Sequence, residues 1–175
     1  MKMENKITFI IGGARSGKSA FALNEANKFK GQKAYIATAQ ALDEEMRERI
    51  EKHKQQRGGE WDAYEEPLKV ADVLREIKDK YKVVIIDCLT LWLSNLMCNG
   101  KDVEKEIDSL CGSLSTVHCQ LFTVSNEVGM GIVPENELAR KFRDFAGILN
   151  QKVAGIADDV YLVTAGIPVK IKNAK

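Results

Sequence analysis

The sequence predicts one α/β domain with a mostly parallel central sheet flanked by helices. Two observations lead to this prediction: short apolar runs alternate with longer amphipathic segments, and residues 83–86 are apolar on both faces, as in strands covered by helices on both sides. Only three prolines occur in 175 residues, and no linker or internal repeat is visible. Residues 1–175 are therefore expected to form a single domain.

The individual elements follow from the hydrophobic pattern. Strands are expected where short apolar runs are bounded by turn residues, at residues 7–11, 34–37, 83–86, 121–124, 160–163 and, as a short terminal strand, 167–172. Helices are expected at residues 18–30, 42–56, 70–80, 89–97 and 103–115, followed by a long helix that starts at Pro134. Apolar residues in this last helix recur every three or four positions and predict a core-facing stripe of Leu138, Phe142, Phe145, Leu149, Val153 and Ile156.

Composition narrows the functional class. Lys and Arg number 26 against 25 Asp and Glu, a net charge of +1 without a basic tract, so a nucleic-acid partner is not expected. No segment reaches the roughly 18 consecutive apolar residues of a membrane span, and the chain starts without the apolar stretch of a signal peptide. The four cysteines show no CxxC spacing, which favours free thiols in the cytoplasm over a zinc or disulfide framework.

The strongest motif is a glycine-rich loop directly after the first strand, with the spacing G-x-x-x-x-G-K-[ST]. Its members are Gly12, Gly13, Ala14, Arg15, Ser16, Gly17, Lys18 and Ser19. Backbone N–H groups of such a loop surround phosphate oxygens, and the dipole of the following helix adds to the attraction. The lysine reaches the β- and γ-phosphates, and the Ser19 hydroxyl is the expected ligand of Mg²⁺. The motif predicts nucleotide binding.

An acidic residue is expected beside this loop. Asp87 directly follows the buried run 83–86, where a carboxylate that organises Mg²⁺ is needed. Asp87 could instead cap the helix that begins near Leu89. The only Asn-Lys pair, Asn27-Lys28, lacks the Asp of a guanine-binding N-K-x-D motif, so a phosphotransferase acting on a small molecule is the general expectation.

One histidine lies on the second predicted helix. Leu42, Met46, Ile50 and His53 are spaced by 4, 4 and 3 residues and share one helix face, which is expected to face the protein body. A histidine there is either a packed residue or a nucleophile, because neutral imidazole can attack a phosphate near pH 7. The residues alone do not decide between these two hypotheses for His53.

Several segments, taken together, resemble the bifunctional adenosylcobinamide kinase/adenosylcobinamide-phosphate guanylyltransferase family of cobalamin assembly. Besides the glycine-rich loop, the matching stretches are residues 35–39, 42–46, 49–54, 61–67, 87–92, 125–134 and 166–172, so they run nearly from end to end. Residues 126–134, with the sequence NEVGMGIVP, are far more specific than the loop alone.

The resemblance implies two reactions and a P-loop NTPase fold of the RecA-like type. First, ATP or GTP phosphorylates the aminopropanol hydroxyl of adenosylcobinamide. Second, GTP guanylylates a histidine with loss of pyrophosphate, and GMP passes to adenosylcobinamide phosphate to give adenosylcobinamide-GDP. The resemblance also implies a homotrimer.

The resemblance assigns the guanylylated histidine to His53. It assigns nucleotide contacts to the glycine-rich loop and to Ala37, Thr38, Ala39, His53, Lys54, Gln55, Gln56, Glu65 and Asp87. At the last of these positions the family often has Glu. Asp87 keeps the negative charge, but its side chain is shorter, so the position of the carboxylate differs. Two rival hypotheses remain, a simple small-molecule kinase in which His53 is structural and a non-catalytic nucleotide sensor.

Overall fold

The computed structural model describes residues 5–41 and 43–173, except for the side chains of Glu45, Arg49, His53 and Gln56. This part of the chain contains seven strands and six helices. The strands are β1 (Lys6–Gly12), β2 (Lys33–Ala37), β3 (Trp61–Glu65), β4 (Val83–Asp87), β5 (Gln120–Asn126), β6 (Asp159–Thr164) and β7 (Ile167–Lys172). The helices are α1 (Lys18–Ala26), α2 (Glu44–Arg57), α3 (Val70–Ile77), α4 (Leu89–Cys98), α5 (Val103–Leu114) and α6 (Glu137–Ile156).

The strands form one sheet in the order β3-β2-β4-β5-β1-β6-β7. All neighbouring pairs are parallel except β6 and β7, which form an antiparallel hairpin. This arrangement confirms the predicted mostly parallel sheet. Strand β5 lies between β1 and β4, so the two strands that lead into the glycine-rich loop and into Asp87 end at the same edge. Ligands of open α/β sheets bind at this carboxyl edge.

Side chains of alternate strand residues fill two separate cores, one on each face of the sheet. On one face, strand residues such as Ile10, Tyr35 and Ile85 pack with Ala22 and Ala26 of α1. On the other face, the core combines the alternate strand residues with α3, α4, α5 and α6. Because the side-chain period of a strand is two, Tyr35 and Asp87 point to the same face as α1.

Both tryptophans lie in the hydrophobic core. Trp61 is buried against Tyr35, with the ring planes at 85° and the ring centroids 6.0 Å apart. Trp92 is fully buried, and its Nε1 donates a hydrogen bond to the Leu68 carbonyl at 2.8 Å. Both side chains therefore act in packing.

Strand β3 is absent from the sequence prediction. It is the edge strand of the sheet, and of its five residues only Trp61 is buried. An edge strand in contact with solvent carries no regular alternation of apolar and polar residues, so its pattern does not reveal it. The backbone pairing with β2, rather than side-chain burial, defines this element.

The start of the long helix and one member of its stripe were predicted wrongly. α6 begins at Glu137 rather than Pro134, because the Asn136 side chain accepts a hydrogen bond from the Ala139 N–H at 3.0 Å and caps the helix there. Leu138 is 60% exposed, since the first turn of α6 extends beyond the core, whereas Leu149 and Val153 are fully buried. Helices α1 and α3 end about one turn earlier than predicted.

Helix α2 is mostly polar. The Asp43 carboxylate caps its start by accepting a hydrogen bond from the Met46 N–H at 2.7 Å. Met46 and Ile50 are half-buried, and the two other members of the predicted stripe, Leu42 and the His53 side chain, lie outside the described residues. Across the described residues, none of the helices combines the length and apolar character that crossing a membrane requires.

Candidate nucleotide-binding site

The glycine-rich loop connects β1 to α1 in a conformation that depends on its glycines. A Cβ atom at Gly12 would lie 2.3 Å from the Val163 carbonyl oxygen, so no other residue fits there. Gly17, directly before α1, has a φ of +97°, a backbone conformation that residues with a side chain rarely adopt. The turn between β6 and β7 supports the loop from outside, because the Gly166 N–H donates to the Ser16 carbonyl at 2.9 Å.

Lys18 is the first residue of α1 and is 7% exposed. Its Nζ lies inside the loop and donates to the Gly13 carbonyl at 2.5 Å and to Ser16 Oγ at 3.5 Å. Burial lowers the pKa of Lys18, and the nearby Cys88 and Asp87 groups partly oppose this shift. A buried ammonium group held by loop oxygens is placed where this motif binds phosphate.

Asp87 ends β4 on the α1 face of the sheet and is half-buried. Its Oδ2 accepts a hydrogen bond from the Tyr35 hydroxyl at 2.7 Å. Burial and the adjacent Asp87 charge raise the pKa of Tyr35 well above its usual value, so the phenol remains a donor. The N-cap of α4 is Cys88, without a side-chain capping bond, and the alternative prediction of a capping Asp87 is therefore wrong.

The nucleotide contacts predicted from the family resemblance come together along the carboxyl edge. In the sheet register, Ala37 lies between Asp87 on β4 and Glu65 on β3. Ala39 and Ser19 are half-buried, while Gly13, Ala14 and Arg15 are exposed on the loop. Thr38 differs from these residues because it is fully buried.

The end of α2 contacts the same edge through its charged residues. Lys54 Nζ lies 2.7 Å from Glu65 Oε1 and 3.6 Å from Glu51 Oε1. The hydrogen bond between Lys54 and Glu65 is the main cause of the raised pKa of Lys54 and of the lowered pKa of Glu65. Gln55 is exposed, and the side chains of His53 and Gln56 lie outside the described residues. α2 is thus joined to β3 by an exposed ion pair.

Arg57 is a residue of this site that the sequence analysis missed. Its guanidinium carbon lies 4.3 Å from the centroid of the Tyr35 ring, the ring whose hydroxyl binds Asp87. The Arg57 Nη1 atom is buried and has no hydrogen-bond partner among the residues that the structure describes. Its position one helical turn after His53 was the available signal, because residues four apart lie on the same side of a helix.

Asn126 and Glu127 lie at the carboxyl edge of the sheet. Asn126 pairs with Gly12 in the register of β5 and β1, and its Nδ2 donates to Thr90 Oγ1 at 2.8 Å. The Glu127 N–H donates to the Gly12 carbonyl at 2.9 Å. Both residues therefore border the phosphate loop.

Comparison with known proteins decides the family. A family model described as cobinamide kinase/cobinamide phosphate guanyltransferase matches residues 8–171. The chain belongs to this family. The resemblance found in the sequence is therefore confirmed, and membership makes the chain a cobinamide kinase and cobinamide phosphate guanyltransferase with a role in cobalamin biosynthesis.

Two relatives of this family member show how much of the chain is shared. The bifunctional adenosylcobalamin biosynthesis protein CobP of Pseudomonas aeruginosa is 41% identical over 166 residues, which cover 94% of this chain and 96% of the relative. The bifunctional adenosylcobalamin biosynthesis protein CobU of Escherichia coli is 40% identical over 178 residues, covering 93% and 98%.

Solved structures support the fold at much lower identity. A KaiC-like protein from Pyrococcus horikoshii has a TM-score of 0.51 at 15% identity, with 91% of this chain and 71% of that chain covered. An ATPase from a bacterial type III secretion system has a TM-score of 0.52 at 12% identity, with 92% and 51% covered. These similarities concern the fold alone and confirm the predicted P-loop NTPase class.

Proposed function

We propose that this enzyme phosphorylates adenosylcobinamide with ATP or GTP and then transfers GMP from GTP to adenosylcobinamide phosphate through a guanylyl-histidine at His53. The product is adenosylcobinamide-GDP. The observation that carries the proposal is the placement of Lys18, Asp87 and the end of α2 around one sheet edge. A phosphate site and a helix bearing a candidate nucleophile therefore adjoin each other.

The oxygen donors at this edge fit Mg²⁺. Mg²⁺ takes oxygen ligands and is bound in such sites by one or two side chains together with the phosphates of the nucleotide. Ser19 on α1 and Asp87 on β4 would hold it, with a hydroxyl and a carboxylate respectively. When bound, Mg²⁺ neutralises negative charge on the nucleotide phosphates.

The glycine-rich loop and Lys18 are proposed to bind the phosphates in both reactions. In the kinase step they hold the phosphates that remain when the γ-phosphoryl group leaves. In the transferase step they hold the departing pyrophosphate. Fixed donors directed at charge that develops in the transition state are worth more than donors that must reorganise. The network of bonds around Lys18 provides such a fixed donor.

His53 is proposed to act as the nucleophile of the transferase reaction. A neutral imidazole nitrogen attacks the α-phosphorus of GTP, a P–N bond forms, and the bond to the β-phosphate oxygen breaks to release pyrophosphate. An oxygen of the corrinoid phosphate then attacks the same phosphorus, and the P–N bond breaks. This sequence requires α2 to move toward the nucleotide, and the polar surface and half-buried apolar residues of α2 favour such a movement.

Arg57 is added to the nucleotide contacts that the family resemblance predicts. The buried Nη1 of Arg57 has no partner within the described part of the chain and lies close to the Asp87–Tyr35 pair, so a phosphate oxygen of the nucleotide would satisfy it. The proposed nucleotide contacts are Gly12, Gly13, Ala14, Arg15, Ser16, Gly17, Lys18, Ser19, Ala37, Ala39, His53, Lys54, Gln55, Gln56, Arg57, Glu65 and Asp87. Thr38 is left out of this set, because its polar groups are bonded to protein atoms.

The surface of β7 supports the proposed homotrimer. Ile167, Val169 and Ile171 alternate along this edge strand and are 64%, 51% and 59% exposed. The intervening lysines face the domain, where Lys170 Nζ lies 2.9 Å from Asp159 and Lys172 Nζ donates to carbonyls at the end of α6. An exposed apolar row on a sheet edge is a surface suited to self-association.

Covalent labelling tests the proposed function. The protein is mixed with Mg²⁺ and α-³²P-GTP, denatured and examined for acid-labile, alkali-stable label. We expect label on the wild type and none on His53→Ala. His118→Ala is the matched control, because His118 is exposed and its Nδ1 is bonded to Asn5 at 2.8 Å. A folded, GTP-binding wild type that takes up no label would contradict the transferase mechanism and leave the kinase or the sensor.

A further inference from the structure

Thr38 holds the peptide group that follows Asp87. Its Oγ1 donates a hydrogen bond to the Cys88 carbonyl at 2.7 Å and accepts one from the Cys88 N–H at 2.9 Å. The two bonds tie the segment after β2 to the segment after β4, at the point where the Asp87 side chain leaves the sheet. A hydroxyl group that both donates to and accepts from one residue is a specific anchor for its backbone.

The polar groups of Thr38 are all bonded to protein atoms. Its N–H donates to the Asp87 carbonyl at 3.1 Å, and its own carbonyl accepts from Asn95 Nδ2 at 2.8 Å. The residue is 0% exposed. A nucleotide oxygen could reach the hydroxyl only by displacing Cys88, which would leave buried backbone groups without hydrogen bonds.

We propose that Thr38 is a positioning residue, whose hydroxyl fixes the direction in which the Asp87 carboxylate projects and does not bind the nucleotide. Asp87 is then held from two sides, with its carboxylate bonded to Tyr35 and its backbone bonded to Thr38. The inference rests on the proposed function only for the role of Asp87 toward Mg²⁺. It replaces the nucleotide contact that the family resemblance assigned to Thr38.

Two readouts test this role with Thr38→Val, which removes the hydroxyl at nearly constant volume. The first readout needs no ligand: hydrogen exchange of the Cys88 amide, followed by NMR, is expected to become about tenfold faster as its acceptor is lost. The second is nucleotide affinity. In Mg²⁺, Thr38→Val is expected to bind a non-hydrolysable GTP analogue about tenfold more weakly than the wild type. In EDTA, the difference in affinity is expected to be less than about twofold.

Three further variants make the test specific. Thr38→Ser keeps the hydroxyl and is expected to restore both readouts. Thr123→Val is the matched control, because Thr123 is also fully buried, lies on β5 beside β4 and has an Oγ1 without a hydrogen-bond partner among the described residues. In Asp87→Asn the Mg²⁺-dependent affinity is already lost, so adding Thr38→Val should cause no further loss.

Different failures overturn different statements. An unchanged Cys88 exchange rate in Thr38→Val would overturn the anchoring role. An equal loss of affinity in Mg²⁺ and in EDTA would show that Thr38 contacts the nucleotide and would also overturn it. If the nucleotide affinity of the wild type is the same with and without Mg²⁺, the proposed metal role of Asp87 is contradicted. The exchange rate of the Cys88 amide would still decide whether Thr38 anchors Cys88. If Thr38→Val does not fold, Thr38→Ala provides the same two readouts.

Discussion

The carboxyl edge of the sheet and helix α2 carry the two proposed halves of the chemistry, and they are built differently. At the sheet edge, the buried Lys18 and Thr38 and the half-buried Asp87 are bonded to protein atoms. The end of α2 is joined to the domain by the exposed pair of Lys54 and Glu65 and by Arg57 above a tyrosine ring. The proposed phosphate site is therefore held by bonds between buried elements, whereas the described contacts at the end of α2 are largely exposed.

The difference fits the two proposed reactions. Charge stabilisation at the phosphates requires donors that are already in place. A nucleophile that first attacks GTP and then presents GMP to a second substrate must occupy more than one position. Loosely packed segments supply such movement, because their local opening free energies are small. Variants in the two regions should consequently affect the two reactions differently.

The largest effect is expected for Lys18→Ala. Both the kinase and the transferase rates should fall by at least about a hundredfold, because the same ammonium group serves both. Stability should not fall in parallel. Burial lowers the pKa of Lys18, so its charge is unfavourable in the folded state, and removing it relieves that cost. The measurements are the two steady-state rates and a denaturant melt.

The exposed Lys30→Ala is the control for Lys18→Ala and is expected to leave both rates unchanged. A Lys18→Ala protein that lost only one of the two activities would contradict a shared phosphate site. It would then place the two reactions in different parts of the molecule.

An intermediate effect is expected for Arg57→Ala. The guanylylation rate should fall about tenfold to a hundredfold, and the kinase rate by less than about threefold, because Arg57 belongs to the end of α2. Arg57→Lys should recover little of the loss, since an ammonium group lacks the planar face that stacks on Tyr35. Single-turnover labelling with GTP and a kinase assay separate the two rates. Equal losses in both reactions would remove the distinction between the regions.

The smallest effect is expected for the stability of Glu65→Gln. The ion pair is largely exposed, with side-chain exposures of 39% and 63%, so its loss should change the free energy of unfolding by less than about 0.5 kcal/mol. The lowered pKa of Glu65 means that this small contribution is present above the unfolded pKa and disappears as the pH falls through the folded pKa. Denaturant melts at low and high salt check it, and a loss above about 2 kcal/mol would show that α2 is firmly attached.

Most of the fold could be predicted from the sequence because its core strands are apolar and its helices are periodic. Residues 83–86 and the long helix are examples of signals that depend on local pattern alone. The failures share a physical cause. Strand β3 and Leu138 lie at the edges of the domain, where burial is decided by neighbours distant in sequence and the local pattern carries little information.

The site shows the same division. The glycine-rich loop is contiguous, so the proposed phosphate site could be predicted from the sequence, and the family resemblance added His53 and the proposed contacts around it. Arg57 above Tyr35, and Thr38 bonded to Cys88, join positions 22 and 50 residues apart. Pairs of that separation acquire meaning only when the sheet order places their strands side by side.

The sequence by itself determined an α/β domain, a phosphate loop, an acidic residue at the end of a buried strand and the family. These depend on residue types at fixed spacing, which local chemistry interprets without coordinates. Three features are visible only in the tertiary structure. Strand β5 separates β1 from β4, the Tyr35 hydroxyl donates to Asp87, and the Thr38 hydroxyl is hydrogen-bonded to Cys88. Hydrogen bonds between distant segments depend on strand order and register, which a one-dimensional pattern does not specify.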